Sequence, residues 1–286
     1  MTSSLVTAGA TWLLGTGTMA VATTIVGRGT VTAFAAVAGV IVGSFLNVVV
    51  YRVPRGLSVA APPSFCPHCE TRVRPVDNIP VVSWLVLRGR CRQCRAPISV
   101  RYPLVESATG IAFAAIGWGL GPHWAVAGYC VLAATLVALV AIERDGLAPT
   151  LSVAVVGTAI AVALLVAAGV ADRRWSHVVG VVTGVVVAGA LVAATRHRPR
   201  RVDPSPWWAA APVLLPVGAA LGWLGPAYAG EGLAGTAVVL LALRGVRAAP
   251  ASPSPGQGGA VLALALAAGV VVATAVAVAG GAGAGS

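Results

Sequence analysis

The chain has 286 residues, 58% of them hydrophobic and only 9% charged, with a mean hydropathy of +0.90. That composition excludes an ordinary water-soluble domain. Several apolar runs reach the ~20 residues that span a bilayer's hydrocarbon core as a helix, where backbone groups must be satisfied within the helix itself. The net charge of +11 rests on 19 arginines and no lysine; they lie beside apolar runs without interleaved aromatics, which marks membrane topology and excludes nucleic acid as a partner.

Nine candidate spans follow in chain order: 5–26, 31–50, 104–120, 125–142, 149–171, 177–195, 207–225, 229–243 and 259–280. The first has no positive charge before it and is too long for a signal core, so a retained helix is expected. The eighth is the shortest. Glycine and alanine are abundant throughout, which lets helices approach closely in lipid. Residues 248–258 read as a flexible Pro/Ser/Gly loop and 281–286 as a disordered tail. No internal repeat is apparent.

The segment between spans two and three is different in kind. Residues 51–103 hold four of the five cysteines and nine of the 19 arginines, so this insert is expected to be cytoplasmic. Alternating the spans puts 143–148, the arginine cluster at 196–206 and the Arg244/Arg247 loop on the same side. Asp172-Arg173-Arg174 falls on the other side, against the charge rule. The expected fold is therefore an all-α polytopic membrane protein of eight or nine transmembrane helices with a small cytoplasmic zinc-binding insert. Its divisions are N-terminal helices (1–50), the four-cysteine insert (51–103), a helical membrane domain (104–280) and the tail.

Cys66-x-x-Cys69 and Cys91-x-x-Cys94 are separated by 21 residues. Two such pairs supply four thiolates in the tetrahedral set that zinc takes in structural sites. Two disulfides are the competing reading, and a reducing compartment argues against them. Four sulfur ligands leave no open position for water, so the zinc is structural. His68, between two ligands, reads as an exposed loop histidine, and Cys130, mid-helix, as a small buried hydrophobe.

Around these cysteines run further ordered elements: Gly43-Ser44-Phe45-Leu46-Asn47, Arg52-Val53-Pro54-Arg55-Gly56, Asp77-Asn78-Ile79-Pro80-Val81-Val82-Ser83-Trp84, Arg88-Gly89-Arg90-Cys91 and Arg101-Tyr102-Pro103-Leu104-Val105-Glu106. In this order they resemble the prepilin peptidases, the type IV leader peptidases of bacteria, an aspartic (A24-type) peptidase family. The likeness covers residues 43–106, about a quarter of the chain. It implies a multi-pass plasma-membrane enzyme that cuts the leader from pilin-like precursors at the cytoplasmic face. Many members then methylate the new N-terminus with S-adenosylmethionine.

Cleavage in that family uses two aspartates: one ionised as base on a water, the other protonated to polarise the scissile carbonyl. Of the eight carboxylates here, Glu70, Asp77 and Glu106 belong to the insert or its exit, and Asp172 and Glu231 fall on the opposite side. Glu143, Asp145 and Asp203 remain. Glu143 occupies the place expected for the first aspartate, with Asp145 as the alternative. The second should end a Gly-x-Gly-Asp motif, which occurs nowhere in the chain; Asp203 is the nearest carboxylate to the matching place near Ala210. Glu143 to Asp145 also read as an interfacial charged turn, and Asp203 as a counter-charge to Arg200 and Arg201. The alternative function is thus a degenerate member that binds pilin-like precursors or assembly partners through the zinc insert without cutting them. A transporter is the weakest reading, because the spans carry almost no ionisable groups.

Overall fold

The apolar runs form helices that pack through small residues. The computed structural model describes residues 3–145, 147 and 150–196, with side chains over 25–186 apart from Glu143. The helices are α1 (Ser3–Arg52), α2 (Val82–Val86), α3 (Arg101–Leu120), α4 (Ala125–Arg144), α5 (Leu151–Ala171) and α6 (Trp175–Arg196). Four stretches among the described residues are long and apolar enough to cross a membrane: Ile25–Arg55, Arg101–Leu120, Ala125–Ile142 and Leu151–Ala171. A shorter apolar stretch, Trp175–Val186, lies in α6. The expected spans at 207–225, 229–243 and 259–280, the 248–258 loop, Asp203, Glu231 and the 281–286 tail lie outside the described residues.

One boundary differs from expectation. The spans at 5–26 and 31–50 are a single helix, unbroken at Gly27-Arg28-Gly29. Each glycine costs a helix interior about 1 kcal/mol relative to alanine, but neither removes a backbone donor as proline would. Two hydroxyls also bond back across the segment: Thr30 Oγ1 donates to the Val26 carbonyl at 2.9 Å and Thr32 Oγ1 to the Arg28 carbonyl at 2.8 Å.

α1 and α3 pack antiparallel. Gly39 lies against the Thr109 carbonyl and the Gly110 Cα, and Gly43 against the Glu106 Cα; a Cβ on either glycine would come within 2.7 Å of α3 backbone. This close seam follows from the Gly39-Val40-Ile41-Val42-Gly43 spacing, which puts both glycines on one helix face. The opposite face of α1 presents Phe34, Val37, Ile41 and Phe45, all exposed, as a lipid-facing surface requires. α4 is the most enclosed helix: 72% of its apolar window is buried, against 33% for α5. Tyr129, Leu132, Leu139 and Ile142 of α4 are fully buried, with Ile116 of α3 and Leu165 of α5.

Two polar contacts mark the ends of this bundle. At one end the insert leaves α1 and enters α3, and Arg101 pairs with Asp145, just past α4. At the other end His123, between α3 and α4, meets Asp172, just past α5, at 3.1 Å.

Candidate metal centre and the motifs around it

Each Cys-x-x-Cys pair sits in a tight knuckle, and the two knuckles are built alike at a constant offset. In the first, the Cys66 N–H donates to the Thr71 carbonyl (3.0 Å), Glu70 N–H to Cys66 (2.8 Å) and Val73 N–H to Ser64 (2.9 Å). In the second, Cys91 N–H donates to Ala96 (2.8 Å), Arg95 N–H to Cys91 (3.0 Å) and Ile98 N–H to Gly89 (2.7 Å). A single bridge closes each one, Phe65 with Arg72 and Arg90 with Pro97. The residue after each second cysteine has a left-handed backbone, Glu70 at φ 56° and Arg95 at φ 61°. The insert thus contains a structural repeat that sequence reading missed. Beyond the cysteines the two halves share little side-chain identity; what repeats is backbone conformation.

The knuckles face each other. All four Sγ atoms lie within 4.8 Å of one another, and Cys66 and Cys94 Sγ are 3.8 Å apart. A disulfide needs about 2.05 Å, so these are free thiols. A tetrahedral shell with metal–sulfur bonds of about 2.3 Å has sulfur–sulfur edges of about 3.8 Å, so the four cysteines are close enough to hold one ion of zinc's size. The thiols are unequal. The Thr71 hydroxyl and backbone N–H bring Cys69 down to about 6. The N–H groups of Cys94 and Gln93 lower Cys91. At Cys94 the Ala96 N–H pulls downward, but burial and the three neighbouring thiols outweigh it and push the group up to about 11. A cation bound by these four thiols would supply the charge that lets the last one ionise.

The surrounding motifs lock this centre to the bundle. Trp84 of α2 donates its indole N–H to the Ile98 carbonyl at 3.1 Å and covers the second knuckle. Gly89 is required beneath it: its φ is +64°, and a Cβ there would meet the indole at 2.9 Å. Arg92, between the second pair of cysteines, grips the Asp77 carboxylate with Nε (2.9 Å) and Nη2 (2.6 Å), which holds that carboxyl below the usual range. Glu106, buried in the second turn of α3, accepts the Val81 N–H at 2.6 Å. Val81 itself has φ +61°, a strained value for a β-branched residue. Buried Asn47 of α1 donates Nδ2 to the Tyr102 carbonyl of α3 at 3.2 Å. Arg52 closes the loop after α1 through the Ser58 (3.0 Å) and Pro62 (2.6 Å) carbonyls.

Glu106 is the residue sequence reading undervalued. It was legible only as the insert's exit, whereas its side chain is the clamp between insert and bundle. Among the carboxylates singled out for chemistry, Glu143 lies in the last turn of α4 and Asp145 pairs with Arg101 on the insert side. Asp203 lies outside the described residues. Cys130 is buried and unpaired, as its mid-helix position suggested.

A comparison with family models falls on this same stretch. A family profile described as the bacterial peptidase A24 N-terminal domain matches residues 37–120, from the glycine seam of α1 to the last residue of α3. A prepilin leader peptidase/N-methyltransferase of Neisseria gonorrhoeae is 42% identical over 135 residues, covering 39% of this chain and 47% of its own. A type 4 prepilin-like proteins leader peptide-processing enzyme of Escherichia coli O78:H11 is 44% identical over 131 residues, covering 39% and 48%. A prepilin leader peptidase/N-methyltransferase of Myxococcus xanthus is 46% identical over 131 residues, covering 46% and 39%. The chain spans less than half the length of these curated relatives. No solved structure matches it.

Proposed function

We propose that the chain is a plasma-membrane aspartic-type peptidase that removes the leader of type IV pilin-like precursors, with its four-cysteine insert on the cytoplasmic side. The observation that supports this most is the motif set over 43–106, which forms one hydrogen-bonded unit over the stretch where the chain resembles prepilin-processing enzymes. Cys66, Cys69, Cys91 and Cys94 would hold zinc, which supplies a fixed tetrahedral cross-link in place of an apolar core. Trp84 and Arg92 brace the knuckle, and Glu106 fixes it to α3. In this reading the insert positions the precursor's polar leader while the lipid bilayer holds its apolar segment.

Hydrolysis requires two carboxylates on one water. One takes a proton from the attacking water; the other, protonated, donates to the scissile carbonyl oxygen and the departing amine recovers a proton. We assign these roles to Asp203 with Glu143 or Asp145. The N-methylation in the relatives' names would use S-adenosylmethionine on the newly freed amine; no residue of this chain is assigned to that cofactor.

The test is cleavage in membranes with a co-expressed pilin-like precursor. Asp203→Ala and one of Glu143→Ala or Asp145→Ala should each lower the rate by about 10²–10⁴. Wild-type protein that keeps its zinc and binds the precursor but does not cut it would overturn the peptidase reading in favour of a degenerate binding protein.

A further inference from the structure

The insert carries a second polar feature apart from the cysteine cluster. Val86, Leu87, Arg88, Arg90, Arg92 and Arg95 line an open cleft of about 480 Å³. Arg92 is committed to Asp77. Among the described residues no carboxylate pairs with Arg88, Arg90 or Arg95, and all three side chains are exposed. The cleft therefore concentrates three uncompensated guanidinium groups, whose planar donor forks suit phosphate oxygens.

Its apolar wall continues outward. α2 exposes Val82 (52%), Leu85 (61%) and Val86 (69%), three aliphatic side chains in five residues. Water does not favour that surface. The placement of α2 explains it. Val81, the residue before α2, is bonded to Glu106, in the second turn of a membrane-spanning helix. The start of α2 is thus held at the level where α3 enters the apolar layer. An apolar strip at that depth, edged by arginines, has the character of an interfacial segment, with aliphatic groups below the headgroups and cations among them.

We propose that α2 and the arginine cleft form a docking surface for anionic phospholipid headgroups of the same bilayer that α1 and α3 enter. The lipid phosphate occupies the cleft between Arg88, Arg90 and Arg95, and Leu85 and Val86 sink beside the acyl chains. A free phosphate would account for the cleft but not for the contiguous aliphatic strip; a bilayer accounts for both. This assignment does not depend on the peptidase reading.

Hydrogen exchange of the zinc-loaded full chain tests it, in nanodiscs of phosphatidylcholine alone or with phosphatidylglycerol added. Amides of 82–95 should exchange at least about fivefold more slowly in the anionic discs. The triple variant Arg88→Gln, Arg90→Gln, Arg95→Gln should reduce that difference below about twofold with zinc content unchanged. Should that variant lose zinc, Leu85→Ser with Val86→Ser keeps every arginine and should also weaken the difference. Equal exchange of the wild type in both discs overturns the proposal. So does protection that survives whichever variant keeps its zinc. Inorganic phosphate that gives the same protection in phosphatidylcholine discs also overturns it, by assigning the cleft to a free anion.

Discussion

The helical bundle and the insert solve the folding problem in opposite ways. The bundle buries Ile116, Tyr129, Leu132, Leu139, Ile142 and Leu165 completely and brings α1 and α3 into backbone contact through glycines. Across residues 53–100, by contrast, the one buried residue is Gly89, which has no side chain to bury. Lipid leaves helices little hydrophobic reason to associate, so the bundle depends on close fit. The insert has no apolar core of its own, so it depends on four thiols and a few polar clamps. One chain thus holds two regions built on different chemistry, close packing on one side and clustered thiols with polar clamps on the other.

The largest expected effect separates them outright. Cys91→Ser, or removal of metal by a chelator, should raise amide exchange over 64–98 by at least about 100-fold and leave the middle of α4 and α5 protected. Equal loosening of α4 would break the comparison. The converse change is Gly39→Val. Its side chain meets the Thr109 carbonyl and Gly110 Cα, neither of which can rotate away. A cost of about 2–3 kcal/mol is expected in detergent unfolding, with zinc content unchanged.

Glu106→Ala tests the junction. It strands the Val81 N–H and should cost about 1–3 kcal/mol. Its effect should appear as faster exchange in α2 with both the metal centre and the bundle retained; Glu106→Gln, which keeps an acceptor, should restore most of the protection. The smallest effect is electrostatic. Asp77 is depressed by Arg92, so the pair contributes above the ordinary carboxylate value near ~3.9 and is lost as pH falls through the lower folded value. Asp77→Asn should therefore speed exchange around 75–80 modestly at neutral pH, and the difference from wild type should vanish in strong acid.

These regions were also unequally legible in the sequence. The Cys-x-x-Cys spacing announced the four-thiol cluster because ligand chemistry is local and fixed. Spans at 104–120, 125–142 and 149–171 were readable because lipid imposes length on α3, α4 and α5. What escaped notice depends on backbone geometry or long range. The duplicated knuckle turns on left-handed conformations at Glu70 and Arg95, where no glycine marks them. Gly27-Arg28-Gly29 reads as a break, but helix hydrogen bonding carries through it. Asp145 finds Arg101 across 44 positions of sequence, a pairing no local pattern encodes. The candidate carboxylates were approached by elimination among eight, which names candidates without bringing them together.

The antiparallel seam of α1 and α3 has a consequence for how the protein is made. Both helices and the segment joining them are complete once Leu120 has been synthesised, before any residue of α4 emerges. Every hydrogen bond that fixes the cysteine knuckles, and the Glu106 clamp as well, closes within that nascent portion. Capture of the proposed metal can therefore be a co-translational event. On the zinc reading, a cell starved of the metal would still place the helices in the membrane but leave their connecting loop open to proteolysis.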